Sequence, residues 1–398
     1  MKVIVTLEYR FDRTPDGKVW TQTTFPYSFW TRYLEVFDRV SVVARTRDVP
    51  SVPSDWQRAD GEGVSFAPIP YYIGPWQYLR KAREVKQAAR NAVSPDDAVI
   101  LRLSSQIASC IQPMLCKERH PYGVEIVADP YDVFAPGSIK HPLRPIFRWW
   151  FPRGLRRECQ EACAAAYVTK EALQKRYPCP NLSIGVSDVE ILEDSLVAAP
   201  RPLRGETGIF TLLFVGSLAQ LYKAPNILIE AVAICMQEGL NIELIMVGDG
   251  QYRAELEEEA KALGLGKRVS FLGQLPSGDA VRAQLDRAHL FILPSYQEGL
   301  PRAMVEAMAR ALPCIGSTVG GIPELLPDED MVSPGDVAAL ASKIREVVTD
   351  PDRMARMSAR NLEKAKEYTD EVLRQQRLIF YRYVREQTEG WLKEKQKI

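Results

Sequence analysis

Two carboxylates, Glu298 and Glu306, stand with seven residues between them in the segment Ser295-Tyr296-Gln297-Glu298-Gly299-Leu300-Pro301-Arg302-Ala303-Met304-Val305-Glu306-Ala307-Met308-Ala309. A strand-like apolar run over residues 289–294 leads into it. Gly299 allows a sharp turn, and Pro301 suits the first position of a helix. Glu298 is therefore expected on a loop, with Glu306 one to two turns into the helix that follows. A carboxylate set among Val305, Ala307, Met308 and Ala309 is costly without a partner. The pair asks for a ligand rich in hydroxyls. Glu298 could accept hydrogen bonds from a sugar, and Glu306 from the two hydroxyls of a ribose, while the helix start favours an anion. A plainer reading stands beside this one: a Glu that favours a helix dipole, followed by a chance internal Glu.

Two further turns share the pattern of a glycine at the end of an apolar strand. The run Leu212-Leu213-Phe214-Val215 ends in Gly216-Ser217-Leu218, with Lys223 shortly after. Gly216 would let a ligand approach the backbone, and Lys223 offers a point charge to a phosphate. A surface lysine before a helix explains the same residues. Met246-Val247 closes into Gly248-Asp249-Gly250, either a ligand-facing turn or an ordinary strand-to-helix turn. The third glycine of GxGxxG is missing there, and no GxxxxGK[ST] loop exists, so dinucleotide and ATP-loop readings lose their support.

These turns must be held by a larger frame. The 398 residues suggest two domains, and 46% apolar with 26% charged residues suits a globular chain. Net charge is zero, which gives no case for nucleic acid as a partner. Seven cysteines without CxxC spacing read as reduced thiols. No His/Cys/carboxylate cluster has metal-ligand spacing, so no metal is expected. Residues 1–7 read as a strand from the start, not as a signal peptide, and no apolar run reaches membrane-span length, so a cytoplasmic location is expected.

Strand-like and helix-like stretches alternate in both halves. Strands are expected at 3–7, 40–44, 64–69, 98–103, 124–128, 164–168 and 183–186, then at 210–215, 242–247, 269–272, 290–293 and 313–315. Helices are expected at 75–93 and 144–163, then at 225–238, 252–263, 279–286, 302–311 and 337–348. This is the pattern of an α/β chain with two doubly wound parallel sheets. The Pro- and Gly-containing stretch 198–208 reads as the linker. The expected division is 1–200, 201–367, and a closing helix, 368–398, that packs back on the first domain. Ligands then belong in the cleft, at the carboxyl ends of the strands.

The series Phe-Val-Gly-Ser-Leu with Lys223, Val-Gly-Asp-Gly, Val269-Ser270-Phe271-Leu272-Gly273, Leu-Pro-Ser-Tyr-Gln-Glu-Gly-Leu-Pro, Glu-Ala-Met-Ala and Gly320-Gly321-Ile322-Pro323-Glu324 resembles the donor domain of glycosyltransferase family four, the group 1 retaining glycosyltransferases of GT-B fold. The likeness runs through most of residues 210–348. It implies two Rossmann-like domains facing across a cleft, the first binding the acceptor and the second a nucleotide-diphosphate sugar. It implies that this sugar is a co-substrate and that no cofactor is needed. Lys223 would meet the diphosphate, as would backbone near Gly299 and Leu300, and Gly216 and Ser217 would line the same donor site. Glu298 would meet the donor sugar and Glu306 the ribose. Gly248, Asp249 and the turn at Phe271 would lie near the base or sugar. The acceptor would be a glycan, a lipid-linked or a small-molecule hydroxyl, with anomeric configuration retained.

Four features depart from that pattern, and one of them, His289 where the family often has Asp, lies at the start of a strand and reads as structural. Ser217 stands where the family often has Arg, so a diphosphate cation is missing or comes from elsewhere. The family's strand-end histidine is absent from Glu125-Ile126-Val127-Ala128-Asp129, and Asp129 is the natural stand-in, against the plainer reading of a cap. Of a glycine-rich loop near the amino terminus only Gly17 is left. Residues 140–157 carry Lys140, Arg144, Arg148, Arg153, Arg156 and Arg157 around Trp149, Trp150 and Phe151, without an acid. Such a helix could touch an anionic membrane at the inner face, or simply pack with a solvated basic edge. Two other functions are weighed against transfer: a related epimerase or hydrolase of nucleotide-sugars, and a silent nucleotide-sugar-binding protein.

Overall fold

Alternation of apolar side chains along β1 (Lys2–Arg13) and β6 (Ala98–Leu103) sends them to two different cores. Val3, Val5, Ala98 and Ile100 join one apolar cluster, and Ile4, Val99 and Leu101 join the other. A sheet buried on both faces needs helices on both, which is what the computed structural model shows. It describes residues 1–397 except 23, 136–140, 203–207 and 277. Lys140 and part of the expected linker therefore lie outside the described residues.

The first sheet also contains β2 (Val19–Thr21), β3 (Arg39–Asp48), β4 (Gln57–Arg58), β5 (Val64–Pro70), β7 (Gly123–Ile126), β8 (Ala164–Tyr167) and β9 (Leu182–Gly185). Its parallel part runs β5-β3-β1-β6-β7-β8-β9. Its helices are α1 (Tyr27–Leu34), α2 (Gly74–Asn91), α3 (Gln106–Glu118), α4 (Pro130–Val133), α5 (Arg144–Glu161) and α6 (Ala172–Arg176). The second sheet is all parallel, in the order β12-β11-β10-β13-β14-β15. These strands are β10 (Phe210–Val215), β11 (Ile242–Val247), β12 (Val269–Gly273), β13 (Leu290–Leu293), β14 (Cys314–Ser317) and β15 (Met331–Val332). The accompanying helices are α7 (Pro225–Gln237), α8 (Arg253–Ala262), α9 (Asp279–Arg287), α10 (Arg302–Ala309), α11 (Val337–Val348) and α12 (Pro351–Lys366).

A long last helix, α13 (Asp370–Lys395), returns to the first sheet and packs on β6, β8 and β9. Phe380 and Val384 lie over Gly123, where a Cβ would come within 2.6 Å of Val384. The chain crosses between the domains twice, and the crossings touch: Asp370 N donates to Ile191 O at 2.9 Å.

The structure adds elements that were not expected, among them the short helices α1, α4 and α6 and the strand β15. The loop that holds Gly17 is the turn of a hairpin: β1 runs on to Arg13 and turns back into antiparallel β2, which pairs with β4. Arg13 with Asp48, and Arg47 with Asp12, brace the extension of β1 against β3. Helix α3 was not expected, because Pro113 interrupts its pattern; the Ser105 hydroxyl caps it by accepting from Ile107 N and Ala108 N. Helix α12 was missed as well, although Asp350 caps it and Pro351 opens it.

Candidate active site

In an open parallel sheet, ligands sit where the strand order reverses. In the second sheet that point lies between β10 and β13. The turn after β10 carries Gly216 to Lys223, and the loop after β13 carries Ser295 to Pro301, so both motifs meet at the reversal. Tyr296 N donates to Tyr222 O at 2.7 Å and ties the two loops together.

Across this junction the Lys223 ammonium donates to Glu298 Oε1 at 2.8 Å, and the Ser295 hydroxyl donates to the same oxygen at 2.8 Å. The two charged side chains are only 15% and 8% exposed. Burial pulls the Lys223 ammonium down, but Glu298 and Tyr222 outweigh it and raise the group above its ordinary value. Lysine therefore stays charged while largely withdrawn from water. The Lys223 stem lies where a side chain at Gly216 would stand: a Cβ there would come within 2.4 Å of Lys223 Cδ. Gly248 adopts φ 136°, and a Cβ on it would strike Gly216 O at 1.9 Å. Those two turns are thus stacked backbone on backbone at the carboxyl edge.

Helix α10 opens at Pro301 with no side-chain cap, which leaves its first N–H groups for another acceptor. Met304, Val305, Ala307, Met308 and Ala309 are buried and hold its position. Glu306 is half-buried on the remaining face, with no hydrogen bond or ion pair recorded among the described residues. Burial pushes its carboxyl up, against the pull of Arg302 and Arg282. Leu300 is buried and could offer a ligand only its backbone.

Other expected residues are placed differently. The Ser217 hydroxyl accepts from Ala219 N at 3.2 Å on an exposed turn. Asp249 is exposed and accepts from Gly250 N at 2.7 Å and from Arg253 at 3.0 Å. Phe271 packs its ring against the core, and its carbonyl accepts from Arg253 at 3.1 Å. Asp129 makes the cap that the plainer reading gave it. Its carboxylate is buried, caps α4 through Tyr131 N at 2.8 Å, and also takes Tyr177 Oη and Arg176. Both its oxygens are engaged inside the first domain, where they hold the turn after β7. Histidine does not take its place: His289 lies at the amino end of β13 and accepts from Thr211 N at 2.8 Å.

Three features escaped the sequence reading. Arg302, exposed in the first turn of α10, is close enough for its charge to act on Lys223, Glu306 and Asp188. Only its position after Pro301 signalled it. Gln297 Oε1 is buried without a hydrogen-bond partner in the loop beside Glu298. Across the cleft, the order of the first sheet reverses between β1 and β6, and there Glu8 accepts from the Ser105 hydroxyl at 2.9 Å and pairs with Arg45 and Tyr72.

Away from the cleft, Leu143, Ile146, Trp149 and Trp150 are exposed on and just before α5. Ile73, Trp76 and Leu79 are exposed at the start of α2. Helix α3 lies between the two, bonded to α2 through Arg90 and to α5 through Ser109. No described helix is long and apolar enough to cross a membrane. Among the described residues no three His, Cys, Asp or Glu side chains gather as a metal site.

The arrangement has counterparts in known proteins. The family described as group 1 glycosyl transferases matches residues 201–364. Protein CapJ of Staphylococcus aureus is 28% identical over 327 residues, covering 81% of each chain. The Anabaena protein Alr3699/HepE, solved with UDP and glucose, superposes with a TM-score of 0.63 at 18% identity, over 94% of this chain and 98% of that one. WaaG, a glycosyltransferase involved in lipopolysaccharide biosynthesis, superposes with a TM-score of 0.64 at 16% identity, over 96% and 99%. Two doubly wound domains, with the matching motifs gathered at the reversal point of the second, agree with these likenesses: residues 201–364 match the group 1 glycosyl transferases, and the fold is GT-B.

Proposed function

We propose that the protein transfers a sugar from a nucleotide-diphosphate sugar to an acceptor hydroxyl, with retention at the anomeric carbon and without a metal. The observation that carries this is the withdrawn Lys223–Glu298 pair at the reversal point, with Glu306 open on the adjoining helix. Glu306 would take the ribose hydroxyls, and Glu298 the donor sugar. The ammonium of Lys223 and the uncapped start of α10 would face the diphosphate. Arg302 would supply the second cation that Ser217 does not. As the bond from C1 to the phosphate oxygen breaks, negative charge grows on the departing diphosphate, and fixed cations and N–H dipoles stabilise it there. The acceptor oxygen then bonds to C1 on the face the nucleotide leaves, and its proton passes to the departing phosphate. In this reading Glu298 binds the sugar and forms no covalent intermediate.

The first nucleotide to test is UDP, the one that crystals of the HepE neighbour hold. Isothermal titration with UDP, GDP and ADP and their sugars should show one strong binder. Glu306→Ala should weaken it about tenfold or more, the scale of one lost charge-assisted hydrogen bond. No binding by any of them, or unchanged binding in Glu306→Ala, would sink the donor-site assignment. Donor consumed completely without an acceptor would favour the hydrolase or epimerase instead. Proton NMR of the product reads the anomeric configuration directly.

The acceptor side supports a lipid-linked substrate. Trp76, Trp149 and Trp150 are 78%, 56% and 65% exposed, beside arginines of α5 that carry no acidic neighbour before Glu158. Tryptophan and arginine together suit the interface of an anionic bilayer. Co-sedimentation with phosphatidylglycerol vesicles, and not with phosphatidylcholine vesicles, is the expected result. Equal partition into neither would leave a soluble acceptor.

A further inference from the structure

We propose that Glu324, in the donor domain, is a positioning residue that latches the two domains together, and that the latch is built onto the donor loop. The inference rests on the nucleotide-sugar reading of the cleft for its kinetic part only.

Helix α6 belongs to the first domain, yet most of the acceptors at its start come from the second. Its own N-cap residue, Glu171, makes no side-chain cap. Instead Glu324 reaches across: Oε2 accepts from Lys170 N at 2.6 Å, and Oε1 accepts from Glu171 N at 3.0 Å and Ala172 N at 2.7 Å. A helix start leaves N–H groups in need of an acceptor, and a carboxylate there is favoured by charge as well. The Thr169 hydroxyl of the first domain serves Leu173 N at 3.0 Å, so what depends on domain closure is the acceptor for Lys170 N, Glu171 N and Ala172 N. Lys170 and Glu171 are exposed, so water can take over when they part, and the contact is reversible. The ammonium of Lys170 also pairs with Glu367, at the end of α12.

Glu324 is joined to the donor loop by backbone alone. Gly321 N donates to Gly299 O at 2.6 Å, directly after Glu298. A Cβ on Gly321 would lie 2.7 Å from Gly299 O and 3.1 Å from Thr169 of the first domain. A Cβ on Gly299 would lie 2.8 Å from Val127 O, at the end of β7. With no side chains between them, the loop cannot shift far without moving the residues that carry Glu324. On the other side, α6 ends in Arg176, which pairs with Asp129 and Asp132. The line from Glu298 through Gly321 and Glu324 to α6 and Asp129 therefore links the donor loop to the acceptor wall.

The test uses the full chain with Glu324→Ala and Glu324→Gln. Small-angle X-ray scattering without nucleotide should give a larger radius of gyration for Glu324→Ala than for wild type, with Glu324→Gln between them. In steady-state assays kcat should fall about tenfold in Glu324→Ala, while Kd for the nucleoside diphosphate that binds wild type best changes by less than about threefold. Wild-type scattering together with wild-type kcat overturns the latch. So does a Kd that weakens in step with kcat, which would make Glu324 a donor contact. If Glu324→Ala fails to fold, Glu324→Gln decides by the same measurements. Wild type that binds no nucleoside diphosphate refutes the nucleotide-sugar reading, and the scattering comparison still decides the latch.

Discussion

At the scale of single residues, the cleft is organised by charges that are withdrawn from water and need each other. Lys223 and Glu298 share one short contact and little solvent. Removing one partner of such a pair strands the other, which typically costs about 3–5 kcal/mol, whereas removing both is far milder. Lys223→Met and Glu298→Gln should each lower the melting temperature by several degrees. The double variant should recover most of that loss and still fail to transfer sugar. Thermal melts of the four proteins measure the coupling, and additive losses would show that the pair is not a unit. Arg302 differs, because it is exposed and its removal leaves no buried charge behind. Arg302→Gln should leave the melting temperature within about one degree of wild type, given how little surface substitutions usually matter. It should nevertheless weaken nucleoside-diphosphate binding, and the loss should shrink in high salt as screening takes over. A salt-independent loss would argue that Arg302 acts by packing.

At the scale of elements, periodicity and strand-end glycines made most of the architecture readable. Five of the six buried positions of β6 are apolar because both faces of that strand are covered, and the sixth, Arg102, is paired with Glu125. Helix α3 was unreadable for a local reason, since Pro113 breaks the pattern that tertiary packing then overrides. The run of β1 into a hairpin was unreadable for another: the extension is braced on β3 by contacts such as Arg13 with Asp48, thirty-five residues apart. In the site, Glu298 and Lys223 stood out because a glycine turn marks each. Glu8 and Arg302 did not, because nothing in their immediate sequence differs from an ordinary surface. The packing of α5 against α3 adds a pH dependence. Burial pushes the Glu158 carboxyl up to about 7, although Ser109 donates to it at 2.9 Å. The folded chain thus holds this proton through an interval in which the unfolded chain, with a value near 4.5, has released it. Stability contributed by the protonated group is present below about 4.5 and is lost as pH rises through about 7. Since Glu158 is half-exposed, the penalty should be only about 1–2 kcal/mol. Glu158→Gln should match wild type at pH 4.5 and melt higher at pH 8. A constant gap across that range would rule out titration of this group.

At the scale of the whole molecule, the last helix decides whether the two domains are independent. Helix α13 follows the second domain in sequence but fills the core of the first. Phe380, Tyr381 and Val384 are buried with Trp30, Tyr33 and Phe37. Tyr381 Oη reaches Glu125 at 3.3 Å, and Glu125 in turn accepts from Arg102 at 2.6 Å and from Tyr33 at 2.9 Å. Each large apolar side chain withdrawn from that core costs about 1.5–3 kcal/mol, and a domain has only about 5–15 kcal/mol in all. Deleting residues 368–398 should therefore unfold the first domain while sparing the second. The second sheet keeps its own core, built from residues such as Leu213, Met246, Phe291 and Ile315. A truncated chain should show fast amide exchange throughout residues 1–190 and slow exchange in β10, β11 and β13. It should still bind nucleoside diphosphate, weakly, since Lys223, Glu298, Arg302 and Glu306 all lie in the surviving half. Protection retained across β1 and β6 would mean that α13 only covers a domain able to fold by itself. The crossing at Ile191 and Thr369 would then serve as a hinge alone, not as the point through which one domain completes the other.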